Sequence, residues 1–163
     1  MTLTVAKMRG HFCLLALWLG LACSCMTSGK VEADPPKQFA VEDDPRGENI
    51  VLSSVSYNGV SYRVRTVPNT DDPGDLDFWQ KALENHLSES GYILKKSGSV
   101  EAGGRTGSLS QFLAPLPAAD FQFNVALFVT DEQIVIVEAA GEVAAYKKVA
   151  KAVEKALQKL RFG

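Results

Sequence analysis

Glu138 is the one ionisable side chain that ends an unbroken apolar run, Ile134-Val-Ile-Val-Glu138. A carboxylate on an apolar face must find a cation or take up a proton, and groups in that position are enriched at functional sites. Its surroundings turn on one loop. If Asp131-Glu132 closes a two-residue turn, Leu127 faces Ile136 and Val125 faces Glu138, which then shares the apolar face. A three-residue loop instead pairs Ala126 with Glu138 and moves it to the more polar side. The expected outcome is a strand-end glutamate paired to Arg63, Arg65 or Arg105. A carboxylate-dependent hydrolase, the least favoured function, would need Glu138 to meet the aspartates of Thr70-Asp-Asp-Pro-Gly-Asp-Leu-Asp77 in one cleft.

Little else offers catalytic chemistry. His86 is the only histidine after His11. It precedes Leu87 at the border of an apolar stripe, with no cysteine or second histidine beside it to complete a zinc site. No Gly-x-Ser-x-Gly elbow is present. Gly98-Ser-Val-Glu-Ala-Gly-Gly104 matches neither the dinucleotide nor the phosphate-loop pattern. The aspartate loop lacks the alternating ligands and closing glutamate of a calcium-binding loop. The chain reads as non-enzymatic, with no catalytic residue, no metal and no cofactor.

The cysteines point to location. Cys13, Cys23 and Cys25 all fall near the N-terminus, so the rest of the chain has neither a disulfide framework nor a thiol nucleophile. Met1–Arg9 carries Lys7, Arg9 and no acid, an apolar run follows from Phe12 to Ala22, and small residues come next. That is the layout of a secretory signal, with Met8 as an alternative start. The run is too short to span a bilayer, which takes about 20 apolar residues. Leu19-Gly-Leu-Ala-Cys23 resembles the lipobox of bacterial lipoproteins, whose cysteine becomes the lipidated first residue. It departs from that pattern at Gly20, where the family usually has Leu. Cys25 is the alternative lipidation site. Removal of residues 1–22 takes away Lys7 and Arg9, leaving 15 basic against 19 acidic residues and a net charge of −4. With that balance and no basic block, nucleic acid is not an expected partner. The membrane is expected to be reached through the lipid anchor, with an envelope protein as a further partner and the domain itself a monomer.

Residues 23–48 read as a flexible tether, polar and broken by Pro35-Pro36 and Pro45. As a coil, about 24 such residues would hold a domain roughly 25–30 Å from its anchor. A single domain is expected over residues 49–163. It opens with a hairpin, Ile50–Tyr57 and Val60–Val67, joined by Asn58-Gly59, a dipeptide suited to the two positive φ angles of a type I′ turn. A helix follows, with Leu76, Trp79, Leu83 and Leu87 at helical spacing, Phe78 and Ala82 widening the stripe, Asp72 or Asp75 as cap and Gly91 as stop. Strands are expected over Tyr92–Lys96 and Thr106–Leu113. The Phe121–Val129 and Ile134–Glu138 hairpin comes next, then a closing helix from Glu142 to Leu160. Its stripe of Val143, Tyr146, Val149, Val153, Leu157 and Leu160 lies opposite a lysine face.

This makes an α+β domain, an antiparallel sheet of about six strands in the order β-β-α-β-β-β-β-α flanked by two helices. The Trp79 helix, the Phe121–Glu138 hairpin with Ala139-Ala-Gly141 after it, and the final helix ending in Leu160-Arg-Phe162 resemble the PsbP-like fold. That family includes an extrinsic photosystem II subunit, a Ran-binding import factor and small bacterial envelope lipoproteins. The resemblance to the lipoproteins implies an α/β/α sandwich facing the periplasm, with the outer membrane favoured. Its role would be binding or assembly support. The alternative is a carrier of a small apolar ligand held between sheet and helix by Tyr62, Trp79, Phe121 and Phe123. The candidate ligand or partner residues are Trp79, Tyr62 and Glu138.

Overall fold

Strict alternation along one hairpin builds the whole fold. In the computed structural model, which describes residues 29–70, 74–116 and 119–163, strand β7 (Asp120–Val129) pairs antiparallel with β8 (Gln133–Glu142). Successive strand side chains point to opposite faces. Val125, Leu127 and Ile134 therefore pack on one side, while Ala126, Phe128, Val135 and Val137 pack on the other. The register is that of a two-residue turn, with Val129 opposite Ile134 and Val125 opposite Glu138. The Thr130 N–H donates to the Gln133 carbonyl at 2.9 Å, and the Gln133 N–H to Thr130 Oγ1 at 3.0 Å, closing Asp131-Glu132.

Four more long strands extend the pair. β4 (Ser61–Pro68) lies against β8, β3 (Ile50–Ser56) against β4, and β6 (Arg105–Pro115) with β5 (Ile93–Ala102) continues beyond β7. The short β2 (Phe39–Val41) completes a seven-stranded antiparallel sheet, ordered β2-β3-β4-β8-β7-β6-β5. A second sheet joins β1 (Val31–Glu32) to β9 (Arg161–Phe162). Ordered structure thus starts before Asn49, and the strand count rises above six. β1 and β2 lie inside the stretch read as tether. Each is two or three residues long, too short to show a period, and exists only because it pairs with a partner distant in sequence.

The helices cover opposite faces. α2 (Val143–Gln158) buries Tyr146, Val149, Val153, Ala156 and Leu157 in the larger core with Val64, Phe128 and Val135. Each large side chain taken fully out of water there contributes about 1.5–3 kcal/mol. α1 (Leu76–Glu89) lays Leu76, Trp79, Leu83 and Leu87 over Val125, Leu127 and Ile134, but none of its residues is fully buried. Phe78 stays 51% exposed and Ala82 is exposed, so neither widens the stripe. Asp75 caps α1, accepting from the Phe78 N–H at 2.8 Å, and Gly91 ends it at φ +90°.

One turn differs from expectation. Of the pair Asn58-Gly59, only Gly59 has positive φ (+80°), and its N–H donates to the Ser56 carbonyl at 3.0 Å. This is a four-residue turn, Ser56–Gly59, whose last residue is the left-handed glycine, a common three-residue hairpin loop. Asn58 instead spends its side chain on α2, donating to the Ala145 carbonyl at 3.1 Å. Both positive angles of a two-residue turn occur at Gly103 (+55°) and Gly104 (+75°), between β5 and β6.

Candidate functional site

A cleft of about 520 Å³ lies between α2 and the β5–β6–β7–β8 part of the sheet. Pockets of about 300–1,000 Å³ with apolar walls and a few placed polar groups are the usual form of small-molecule sites. The walls are Leu109, Ala126, Val137 and Ala139 from the sheet and Ala150, Val153 and Leu157 from α2. Small residues make the room: alanines at 126, 139 and 150 stand where larger side chains would close the gap between the layers.

Across the floor runs one row, polar but for Ala139: Lys96, Gln111, Asn124, Ala139 and Tyr62, each directly opposite the next in neighbouring strands. Gln122 Nε2 donates to Asn124 Oδ1 at 3.1 Å, and Asn124 Nδ2 donates to Tyr146 Oη at 2.9 Å. Burial pushes the Tyr146 phenol up to about 12, the Asn124 hydrogen bond acting in the opposite direction. Tyr62 is 0% exposed, and its Oη has no hydrogen-bond partner among the described residues. Burial, and next the nearness of Tyr146, raises the Tyr62 phenol well above its ordinary value. Both phenols therefore stay protonated at any physiological pH. A buried hydroxyl without a partner costs about 1–3 kcal/mol, so such a group calls for an explanation.

The three residues singled out from the sequence do not meet. Tyr62 points to the α2 side and lines the cleft, whereas Trp79 packs on the α1 side, as does Phe123. Trp79 is a structural anchor: its Nε1 donates to Asn69 Oδ1 at 3.0 Å. Glu138 shares the α1-side face, as the two-residue turn requires, and is held by Arg65 through Nη2–Oε1 at 3.3 Å and Nε–Oε2 at 3.5 Å. Such a partly buried pair, still open to water, contributes about 1 kcal/mol. Asp75 is occupied as the α1 cap, and Asp77 pairs with Lys81 at 3.4 Å. The α1 start sits by Thr130 through Asn69, whereas Glu138 lies five residues along β8 from Gln133, about 17 Å of strand. Glu138 does not converge with Asp75 or Asp77, which removes that basis for a hydrolase. Asp71 and Asp72 fall outside the described residues, as do the lipidation candidates Cys23 and Cys25. His86 is exposed on α1.

The cleft residues that sequence reasoning missed are Gln111, Gln122, Asn124 and Tyr146. In Phe121-Gln-Phe-Asn-Val125 the amides alternate with aromatics and read as a wet face. The cue lay in the alanines that follow on the same face, Ala126 and Ala139, which leave polar groups roofed by α2 but not crowded by it.

The strand order and the two flanking helices allow comparison with solved structures. LpqN of Mycobacterium tuberculosis, described as involved in cell envelope biogenesis, superposes with a TM-score of 0.62 at 9% identity, covering 83% of this chain and 84% of LpqN. PsbP of the cyanobacterium Synechocystis superposes at 0.59 and 7% identity, over 86% and 96% of the two chains. The fold is PsbP-like. A third structure with it, PA94 of Pseudomonas aeruginosa, is of unknown function and matches at 0.51 with 13% identity over 83% and 84%. No family model matches the sequence, and no curated protein is significantly similar to it. Among the described residues no helix is long and apolar enough to cross a membrane, and no three His, Cys, Asp or Glu side chains gather as a metal site.

Proposed function

We propose that this PsbP-like domain is a non-enzymatic binding module of the bacterial cell envelope, which holds a small, largely apolar molecule in the cleft beneath α2. The observation that carries the reading is Tyr62, wholly buried on the cleft floor with an unpartnered hydroxyl among apolar walls. Location rests on the charged and apolar leader and on Cys23 or Cys25 as lipid attachment site. The fold shared with LpqN, a protein described as involved in envelope biogenesis, is compatible with the same compartment. Facing the periplasm on a lipid anchor, the module would receive its ligand from the membrane or from a protein partner there. Tyr62, and not Trp79 or Glu138, is the ligand-contacting residue.

The test uses Nile red, a neutral apolar dye whose emission rises out of water, titrated into the full chain. Saturable one-to-one enhancement is expected. Ala150→Trp, which fills the cleft from α2, should abolish it while the circular dichroism spectrum is kept. Absence of enhancement, or enhancement indifferent to that substitution, would overturn the site.

A further inference from the structure

We propose that the cleft selects an apolar molecule bearing one neutral oxygen acceptor, a carbonyl or ether, which takes a hydrogen bond from Tyr62 Oη. The inference rests on the reading of the cleft as a ligand site and specifies its chemistry. Three observations carry it.

The first is the state of the buried polar groups. Tyr62 Oη has no partner among the described residues, and a phenol is a better donor than acceptor. Nearby, Tyr146 Oη already accepts from Asn124 Nδ2, which leaves its own hydrogen to be donated, and Asn124 Oδ1 is engaged by Gln122. The floor thus offers O–H donors in an apolar setting, which an oxygen with lone pairs satisfies and a hydrocarbon does not.

The second is charge. The ionisable groups lining the cleft are Lys96 against Glu101 and Glu154, all exposed at its rim. Among the described residues no Lys or Arg stands with Tyr62 and Tyr146 in the interior. A carboxylate seated there would lose its hydration without an opposite charge, and would pass two acids for one lysine on the way in.

The third is the walls. Ala126, Val137, Val153 and Leu157 give the body of a ligand apolar contact between sheet and helix, beside the floor amides Gln111, Gln122 and Asn124.

The measurement compares three ten-carbon probes, decane, 2-decanone and decanoate, titrated into the full chain by nuclear magnetic resonance. 2-Decanone should bind about tenfold more tightly than decane, the worth of one buried hydrogen bond, and decanoate more weakly than 2-decanone. Tyr62→Phe should bring 2-decanone down to the affinity of decane or below it, since its carbonyl is then buried without a donor, with decane binding kept. Without any ligand the same variant should melt at a higher temperature, because it deletes a buried, unpaired hydroxyl. A lower melting temperature would mean that Tyr62 Oη is bonded within the protein and would overturn the inference. Equal affinities for 2-decanone and decane in the wild type, tightest binding of decanoate, or binding of none of the three while Nile red still binds would overturn the ligand class and leave the cleft standing. Failure of Nile red as well removes the site itself.

Discussion

Asn69 concentrates more structure on one side chain than any described carboxylate. It is 3% exposed. Its Nδ2 donates to the Thr130 carbonyl at 2.8 Å and the Gly74 carbonyl at 3.2 Å, while its Oδ1 accepts from Gly74 N–H at 3.2 Å and Trp79 Nε1 at 3.0 Å. The end of β4, the β7–β8 turn and the start of α1 are thereby tied at one point. Asn69→Ala should lower stability by about 2–4 kcal/mol, since it orphans several buried groups at once. Denaturant unfolding measures the loss, and a shift of indole emission should accompany it. A change under 0.5 kcal/mol would mean the amide is dispensable. Trp79 was legible as a core residue from its spacing, but its indole partner was not, because Asn69 lies ten residues earlier in a stretch that reads as a turn. Glu138 was legible in part: Arg63, Arg65 and Arg105 were the candidates, and although the β4–β8 register sets Arg63 directly opposite Glu138, the ion pair forms on the diagonal with Arg65. Glu84 shows the opposite. It is a surface-like residue of α1, and burial works against its charge. Hydrogen bonds from Ser110, Ser97 and Gln80 outweigh that cost and hold its carboxyl below the usual range.

Among the elements, the β1–β9 pair is one whose strength depends on pH. Arg161 bonds Glu32 at 3.3 Å and Asp34 at 3.1 Å, and Lys30 adds an ion pair to Glu32 at 3.1 Å. Hydrogen bonding to Lys30 and Arg161 lowers the Glu32 carboxyl, and hydrogen bonding to Arg161 lowers that of Asp34. A carboxyl depressed in the folded state stabilises fully above its unfolded pKa, and that contribution is lost as pH falls through the folded value. The clasp should therefore hold at neutral pH and loosen in acid, below the ordinary carboxylate range. Hydrogen exchange at the Gly163 amide, which donates to the Lys30 carbonyl at 2.8 Å, reports it after correction for intrinsic exchange. Protection should fall in acid, and Arg161→Ala should make protection at neutral pH as weak as the wild type's in acid. Protection unchanged between pH 7 and pH 3 would remove the linkage. The long elements were readable because each repeats its pattern over two turns of helix or more, or several strand residues. β1, β2 and β9 were not. Two or three residues carry no period, and their pairing is decided by where the rest of the chain places their partners.

At the scale of the whole molecule, function depends on where the domain sits and on what it encloses. Lipid attachment at Cys23 or Cys25 predicts that labelled palmitate enters the full chain and that Cys23→Ser combined with Cys25→Ser abolishes the label. Labelling that survives both substitutions would end that reading of the leader. The amino-acid order by itself determined the two amphipathic helices and the strand-rich middle, and it left Asp131-Glu132 with two registers, between which the β7–β8 pairing chose the one that puts Glu138 on the apolar face. These follow from local composition, periodicity and turn chemistry, which act over a few residues. Only the tertiary structure decided that Tyr62 and Trp79 lie on opposite faces, and that Glu138 meets Arg65 and no described aspartate of the 70–77 loop. It also decided that the amides of β6 and β7 lie under α2. Those outcomes depend on which strand pairs with which and on which face each helix covers. They are set by the summed burial of two cores, and no single segment of the chain encodes that sum.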